Sequence, residues 1–96
     1  MIRIVNKKNF NGKGIYIGRP SPLGNPFAIG KDGDRDEVIR KYRIYLKKAM
    51  ETNNRIKEII ERIKELSKKE DVYLICWCFP KKCHGEVIKE IVENLS

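Results

Sequence analysis

Several features that would settle the class of a protein at once are missing from this chain. No apolar run is long enough to cross a bilayer, and no stretch joins a basic n-region, an apolar h-region and a small-residue cleavage site. The expected compartment is therefore the cytoplasm, or the host cytoplasm if the source is viral, with no membrane partner. Neither a Walker phosphate loop nor a dinucleotide-binding glycine fingerprint occurs, so no nucleotide class is specified. There is no internal repeat and no low-complexity tract. Histidine occurs once, and the 3 cysteines crowd into one short segment. An odd, crowded set in an intracellular chain is not a disulfide framework.

What is present fits one domain spanning residues 1–96. A chain of this length buries roughly 60–65% of its unfolded surface, enough for one modest core. Hydrophobic residues make up 41% and charged residues 35%, a globular rather than a disordered balance. Formal net charge is +8, from 21 Lys+Arg against 13 Asp+Glu. Much of the charge alternates in sign, as in Lys57, Glu58, Glu61, Arg62, Lys64 and Glu65, which describes a solvated helix face. The excess still permits attraction to nucleic acid or to a phosphorylated small molecule.

Hydrophobic periodicity places the elements. Met1 to Val5 alternates as a strand, and Ile15 to Ile17 is a second, short one. Between Gly18 and Gly33 lie three prolines, Pro20, Pro22 and Pro26, which forbid a helix. A loop this long inside a small domain is more often functional than idle. Asp34, with Glu37 three residues on, is a helix N-cap in a variant capping box. Val38, Ile39, Tyr42, Tyr45, Leu46, Ala49 and Met50 then form an apolar stripe. Thr52 to Asn54 ends that helix and caps another, marked by Ile56, Ile59, Ile60, Ile63 and Leu66 and ended by "SKKED". "DVYLICWC" is the strongest strand pattern. Apolar residues on both of its faces predict a central strand covered on both sides, with Trp77 packed in the core; the alternative is that Trp77 and Phe79 form a stacking wall for a base. A stripe of Val87, Ile88, Ile91, Val92 and Leu95 closes the chain as a helix. The predicted fold is a small single-domain α/β protein in β-β-α-α-β-α order. Its mostly parallel sheet has three or four strands, flanked by three helices in two or three layers.

Ligands of open α/β sheets bind outside the carboxyl ends of the strands. The loop "GRPSPLGNPF" leaves one strand there, and "CWCFPKKCHGE" leaves another. If those strands are parallel neighbours, both loops line one crevice. Within it Arg19 offers a bidentate contact to phosphate or carboxylate. Ser21 and Asn25 offer neutral hydrogen bonds, and Gly18 and Gly24 permit backbone contacts. The helix start near Cys83 and His84 favours an anion through its free N–H groups and dipole. Gly85 would admit a ligand to that first turn, beside Lys81, Lys82 and Glu86.

The Cys-x-Cys-x4-Cys-His segment can be read in two ways. As a metal site it offers zinc the ligands Cys76, Cys78, Cys83 and His84. As a strand followed by a helix it splits. Cys76, Trp77 and Cys78 finish a buried strand, with Cys76 acting as a small hydrophobe. Cys83, His84 and Gly85 open the helix and face the crevice. Periodicity favours the split, and zinc remains the alternative. Cys83 at a helix N-terminus beside Lys82 would have a lowered pKa suited to a nucleophile, and His84 suits a general acid or base. Against that stands a plain capping role for Cys83 and a loop hydrogen bond for His84.

These two segments, in this order, resemble the family called domain of unknown function 4326. Its pattern runs Gly-Arg-x-Ser-x-Leu-Gly-Asn-Pro-[Phe/Trp], then Cys-x-Cys-x-Pro-x-x-Cys-His-Gly-Asp. Glu86 stands here where that family often has Asp, a longer side chain at the helix start. The resemblance implies no activity; its phage-associated distribution points to nucleotide, nucleic-acid or host-interaction biology. Three functions follow. The first is binding, with or without processing, of a small anionic or nucleotide-like ligand by Gly18, Arg19, Ser21, Gly24, Asn25, Gly85 and Glu86, any chemistry falling to His84 or Cys83. The second is a zinc-stabilised nucleic-acid-binding module. The third is a non-catalytic phage or host interaction protein. Neither enzymatic activity nor oligomeric state is decided by the sequence.

Overall fold

Six elements follow one another: β1 (Ile2–Asn6), β2 (Ile15–Tyr16), α1 (Arg35–Thr52), α2 (Asn54–Lys69), β3 (Val72–Cys76) and α3 (Gly85–Glu93). The structure, a computed structural model, describes residues 1–95. The order is the one read from the sequence. All three strands are parallel, in the order β1-β3-β2, so the last strand in sequence is the central one. Leu74 is flanked by Ile4 and Ile15, and Ile75 by Val5 and Tyr16.

The helix boundaries follow from side-chain caps. Asp34 Oδ1 accepts the Glu37 N–H at 2.9 Å and starts α1. Asn53 serves two helices. Its own N–H closes α1 on the Ala49 carbonyl at 2.8 Å, and its Oδ1 accepts from Arg55 N–H at 3.0 Å to open α2. Helix α2 ends at Lys69, within the "SKKED" segment, with Glu70 as its C-cap. Two lysines in its last turn suit the negative end of the helix dipole.

Strand β3 alternates in burial along its length. Val72, Leu74 and Cys76 are buried, while Tyr73 and Ile75 are half-buried. The buried set joins Ile2 and Ile17 with Tyr42, Leu46, Ile60, Ile63, Val87 and Ile88 in one core. All three helices therefore lie against one face, and the fold has two layers. This corrects the expectation of cover on both sides of β3. Helices α1 and α2 are joined through Asn53 alone and stay together. Helix α3 enters the same layer through Gly85, where a Cβ would come within 2.9 Å of Ile17 Cδ1 and 3.4 Å of Ile4 Cγ1.

Against the other face lies the loop between β1 and β2. Phe10 lies on Tyr73 with ring centroids 4.8 Å apart. Trp77, expected in the core, is 55% exposed. The reason is that β3 ends one residue earlier, where both neighbours run out. Asn6 Nδ2 then donates to the Trp77 carbonyl at 3.1 Å and the Phe79 carbonyl at 2.8 Å, folding the chain away from the sheet.

Candidate functional site

Because β2 and β3 are parallel neighbours, the loops that leave them emerge on the same edge. Ile17 N–H still bonds the Ile75 carbonyl at 2.9 Å, so the first loop departs from beside the end of β3. Between the loops and the start of α1 opens a cleft of about 360 Å³. From the first loop it is lined by Gly18, Arg19, Asn25 and Phe27, and from the second by Trp77, Cys78, Lys82, Cys83 and His84. Helix α1 contributes Arg35, Val38 and Ile39. The juxtaposition inferred from strand order is present.

The electrostatic character of this cleft is one-sided. Arg19, Arg35 and Lys82 line it, and no Asp or Glu does. Arg19 is exposed, and its guanidinium has no ion-pair or hydrogen-bond partner among the described residues, while its carbonyl accepts from Tyr16 Oη at 3.1 Å. Arg35 Nη1 donates to the Lys82 carbonyl at 2.9 Å, which ties the second loop to the start of α1. Lys82 Nζ stands 3.9 Å from Asp36 Oδ1, a solvent-exposed pair that contributes little.

His84 is the buried polar residue of the wall, 9% exposed. Its Nε2 lies 2.6 Å from the Ile17 carbonyl oxygen. A carbonyl only accepts, so Nε2 carries the proton and Nδ1 keeps a lone pair. Burial holds the imidazole below its ordinary pKa, with the Arg19 charge adding to the effect against the pull of the Ile17 carbonyl. The ring packs edge-on against Tyr42 at 5.0 Å. The Tyr42 phenol, pushed far up by burial, stays a neutral donor to the Leu23 carbonyl at 2.7 Å. His84 is thus a neutral base, fixed by both loops.

The cysteines separate into a pair and a single. Cys83 Sγ sits 3.4 Å from Cys76 Sγ, both buried, whereas Cys78 is half-buried on the cleft wall. The S–H of Cys83 donates to Cys76, which lowers the Cys76 pKa and, together with burial, raises that of Cys83. The Cys76 sulfur and burial thus oppose the helix dipole that would lower the Cys83 pKa. The helix dipole is present, but a neighbouring sulfur takes up the proton relationship first. Cys83 also caps: its Sγ accepts the Gly85 N–H at 3.3 Å. His84 turns to Ile17 instead of the sulfurs. Among the described residues no group of three or more His, Cys, Asp or Glu is gathered to hold a metal.

Four of the sequence-derived ligand residues stand off the cleft wall. Gly85 is in the core and admits no ligand. Glu86 points outward, and its N–H is bonded to the Cys83 carbonyl at 3.2 Å, as Val87 N–H is to the His84 carbonyl at 3.0 Å. The first-turn N–H groups of Gly85, Glu86 and Val87 are therefore occupied within the chain. Ser21 Oγ is buried without a partner, below the turn in which Ser21 N–H bonds the Gly18 carbonyl. Gly24 packs against Arg19, whose Cγ lies 3.1 Å from where a Cβ would sit. Asn25 reaches the wall, but its amide is committed. Oδ1 accepts Phe27 N–H at 2.9 Å and Nδ2 donates to the Val38 carbonyl at 3.3 Å. It holds the loop against α1.

Sequence reading missed Arg35 and undervalued Trp77. Arg35 had one local signal, a cation in the first turn of a helix, where the dipole disfavours it. Trp77 carried the alternative of a stacking wall with Phe79, but its alternation matched the buried strand.

The family model described as Domain of unknown function (DUF4326) matches residues 2–94. The chain therefore belongs to that family. No curated protein and no solved structure matches it.

Proposed function

We propose that this member of the DUF4326 family binds a small phosphorylated, nucleotide-like molecule in the cleft between its two motif loops. One observation carries the reading: three cations and an exposed tryptophan line a single cleft that contains no acid. Its volume, about 360 Å³, falls within the range of roughly 300–1,000 Å³ usual for small-molecule sites. The Arg19 guanidinium, with no internal partner, takes the phosphate in bidentate fashion, and Lys82 and Arg35 add charge from the opposite side. Trp77 supplies a flat wall for a base. His84 Nδ1 accepts a hydrogen bond from the ligand, and any proton transfer falls to the same atom. Cys83, protonated and tied to Cys76, plays a structural part. The three cysteines are free, which suits a reducing cytoplasm. No helix among the described residues is long and apolar enough to cross a membrane.

Thermal shifts against inorganic phosphate and a panel of nucleoside mono-, di- and triphosphates test the proposal. A ligand at about one hundred times its Kd stabilises the protein by about 2.7 kcal/mol. Arg19→Ala is expected to weaken that ligand by about ten- to hundred-fold, the loss of a charge-assisted hydrogen bond. If no member of the panel raises the Tm of the wild-type protein, the cleft is not a nucleotide site.

A further inference from the structure

Two independent features meet on the face of the sheet that the helices leave open. The first is charge. Residues 1–31 carry six Lys or Arg and no Asp or Glu, and residues 72–85 carry two and none. Of the acids that adjoin these segments, Asp71 is committed to Arg3 at 3.1 Å and to the N-terminal ammonium at 3.5 Å, and Asp32 Oδ2 accepts the Ala28 N–H at 2.8 Å. Elsewhere the remaining 13 of the 21 Lys+Arg stand against 12 of the 13 Asp+Glu. The positive excess thus belongs to the strands and their loops, and the helices are nearly neutral.

The second feature is a set of rings without cover. Trp77 is 55% and Phe79 45% exposed. Phe10, half-buried, lies on Tyr73 on the same face, with Gly12 against its ring edge. Lys7 Nζ stands 4.8 Å from the centroid of Tyr16 and 5.6 Å from that of Trp77, placing a cation between rings. Trp77 Nε1 donates to Tyr16 Oη at 2.9 Å, which fixes the indole plane.

We propose that this open face binds single-stranded nucleic acid, its bases stacking on Trp77 and Phe10 and its phosphates meeting Lys7, Lys8 and Lys13. Rings interleaved with lysines, free of acid, are what a stacked and charged strand requires. A duplex hides its base faces and would use the lysines alone. An acidic peptide offers no row of flat partners for the rings. A second copy would set two strongly basic faces against each other. This surface goes beyond the cleft and meets it only at Trp77, so the decisive variants lie on the β1–β2 loop, away from Arg19 and His84.

Trp77 is the only tryptophan, so its emission reports the surface directly. The wild-type protein is titrated with oligo-dT and oligo-U of about twelve nucleotides, with a duplex of equal length and with polyglutamate, between about 50 and 200 mM salt. Single strands are expected to quench Trp77 and bind more tightly than the duplex, and the two oligonucleotides show whether DNA or RNA is preferred. Phe10→Ala should weaken binding about 5- to 150-fold, one lost stack, while nucleotide thermal shifts in the cleft stay unchanged. The double variant Lys8→Glu with Lys13→Glu, on exposed positions that leave the fold intact, should lower affinity and flatten its salt dependence. Equal binding of duplex, single strand and polyglutamate would overturn the proposal. So would binding untouched by these variants, or a stable dimer in solution that buries Trp77 and excludes the oligonucleotides.

Discussion

The two faces of the sheet are built from the same strands, yet they are different environments. On the helix side Leu74 and Cys76 are 0% and 1% exposed and join a continuous apolar core. On the open side Tyr73 and Ile75, one residue away, are half-buried beneath one loop. The first face is where burial of apolar area accounts for the fold. The second face keeps rings and lysines at the surface at modest cost to stability. A fully buried core and a half-covered face are therefore separated by a single pleat, and substitutions at adjacent residues should have unlike consequences.

The largest effect tests that contrast directly. Leu74→Ala removes a fully buried side chain and should cost about 2–5 kcal/mol. That corresponds to a fall in Tm on the order of 10–30 °C for a domain of this size. Ile75→Ala, on the open face, should cost about 1 kcal/mol. Paired chemical denaturation curves decide it, and equal losses would mean that the open face is covered in solution.

His84 sharpens the comparison at the edge where both faces meet the cleft. His84→Ala leaves the Ile17 carbonyl without its donor and should cost about 1–3 kcal/mol. The pH dependence has a definite sign. The folded state holds the imidazole below its ordinary value, so as pH falls the unfolded chain takes up the proton first. The His84 contribution is therefore fully present above about pH 6.5 and is lost as pH drops towards the lower folded-state pKa. Melting curves from about pH 8 to 5 should show the wild-type Tm declining at the acid end. His84→Gln, which keeps an N–H donor but does not titrate, should be flatter. A wild-type curve no steeper than that of the variant would place the ring in solvent.

The smallest effect concerns the open face alone. Tyr16→Phe removes the acceptor of the Trp77 indole N–H and the donor to the Arg19 carbonyl at 3.1 Å. Stability should change by less than about 1 kcal/mol. Acrylamide quenching of Trp77 should nonetheless increase as the indole loosens. Unchanged quenching would show that Lys7 and the loop, rather than Tyr16, hold the ring.

Much of this was legible from residue order. The periodicity of Ile56, Ile60 and Ile63 encodes one buried helix face, and the oxygens of Asp34 and Asn53 mark where helices begin. Both are local relations spanning a turn or two. The meeting of the two motif loops was legible as well, because parallel neighbouring strands send their loops to one edge whatever their side chains. Residues whose role depends on distant partners were not legible. Gly85 resembled a ligand contact until Ile17 and Ile4 were found against it. Cys83 reads locally as a thiol at a helix start, and only the fold sets the Cys76 sulfur 3.4 Å from its own.

The sequence by itself determined the elements, their order, the central place of β3 and the edge at which the two motif loops meet. These follow from alternation, capping and chain connectivity, which act over a few residues or through topology. Only the tertiary structure decided that all three helices pack on one side. That choice leaves Trp77 in solvent, turns His84 towards the Ile17 carbonyl and draws Arg35 into the cleft. An alternating strand has two apolar faces, and its pattern does not say which face the helices will cover.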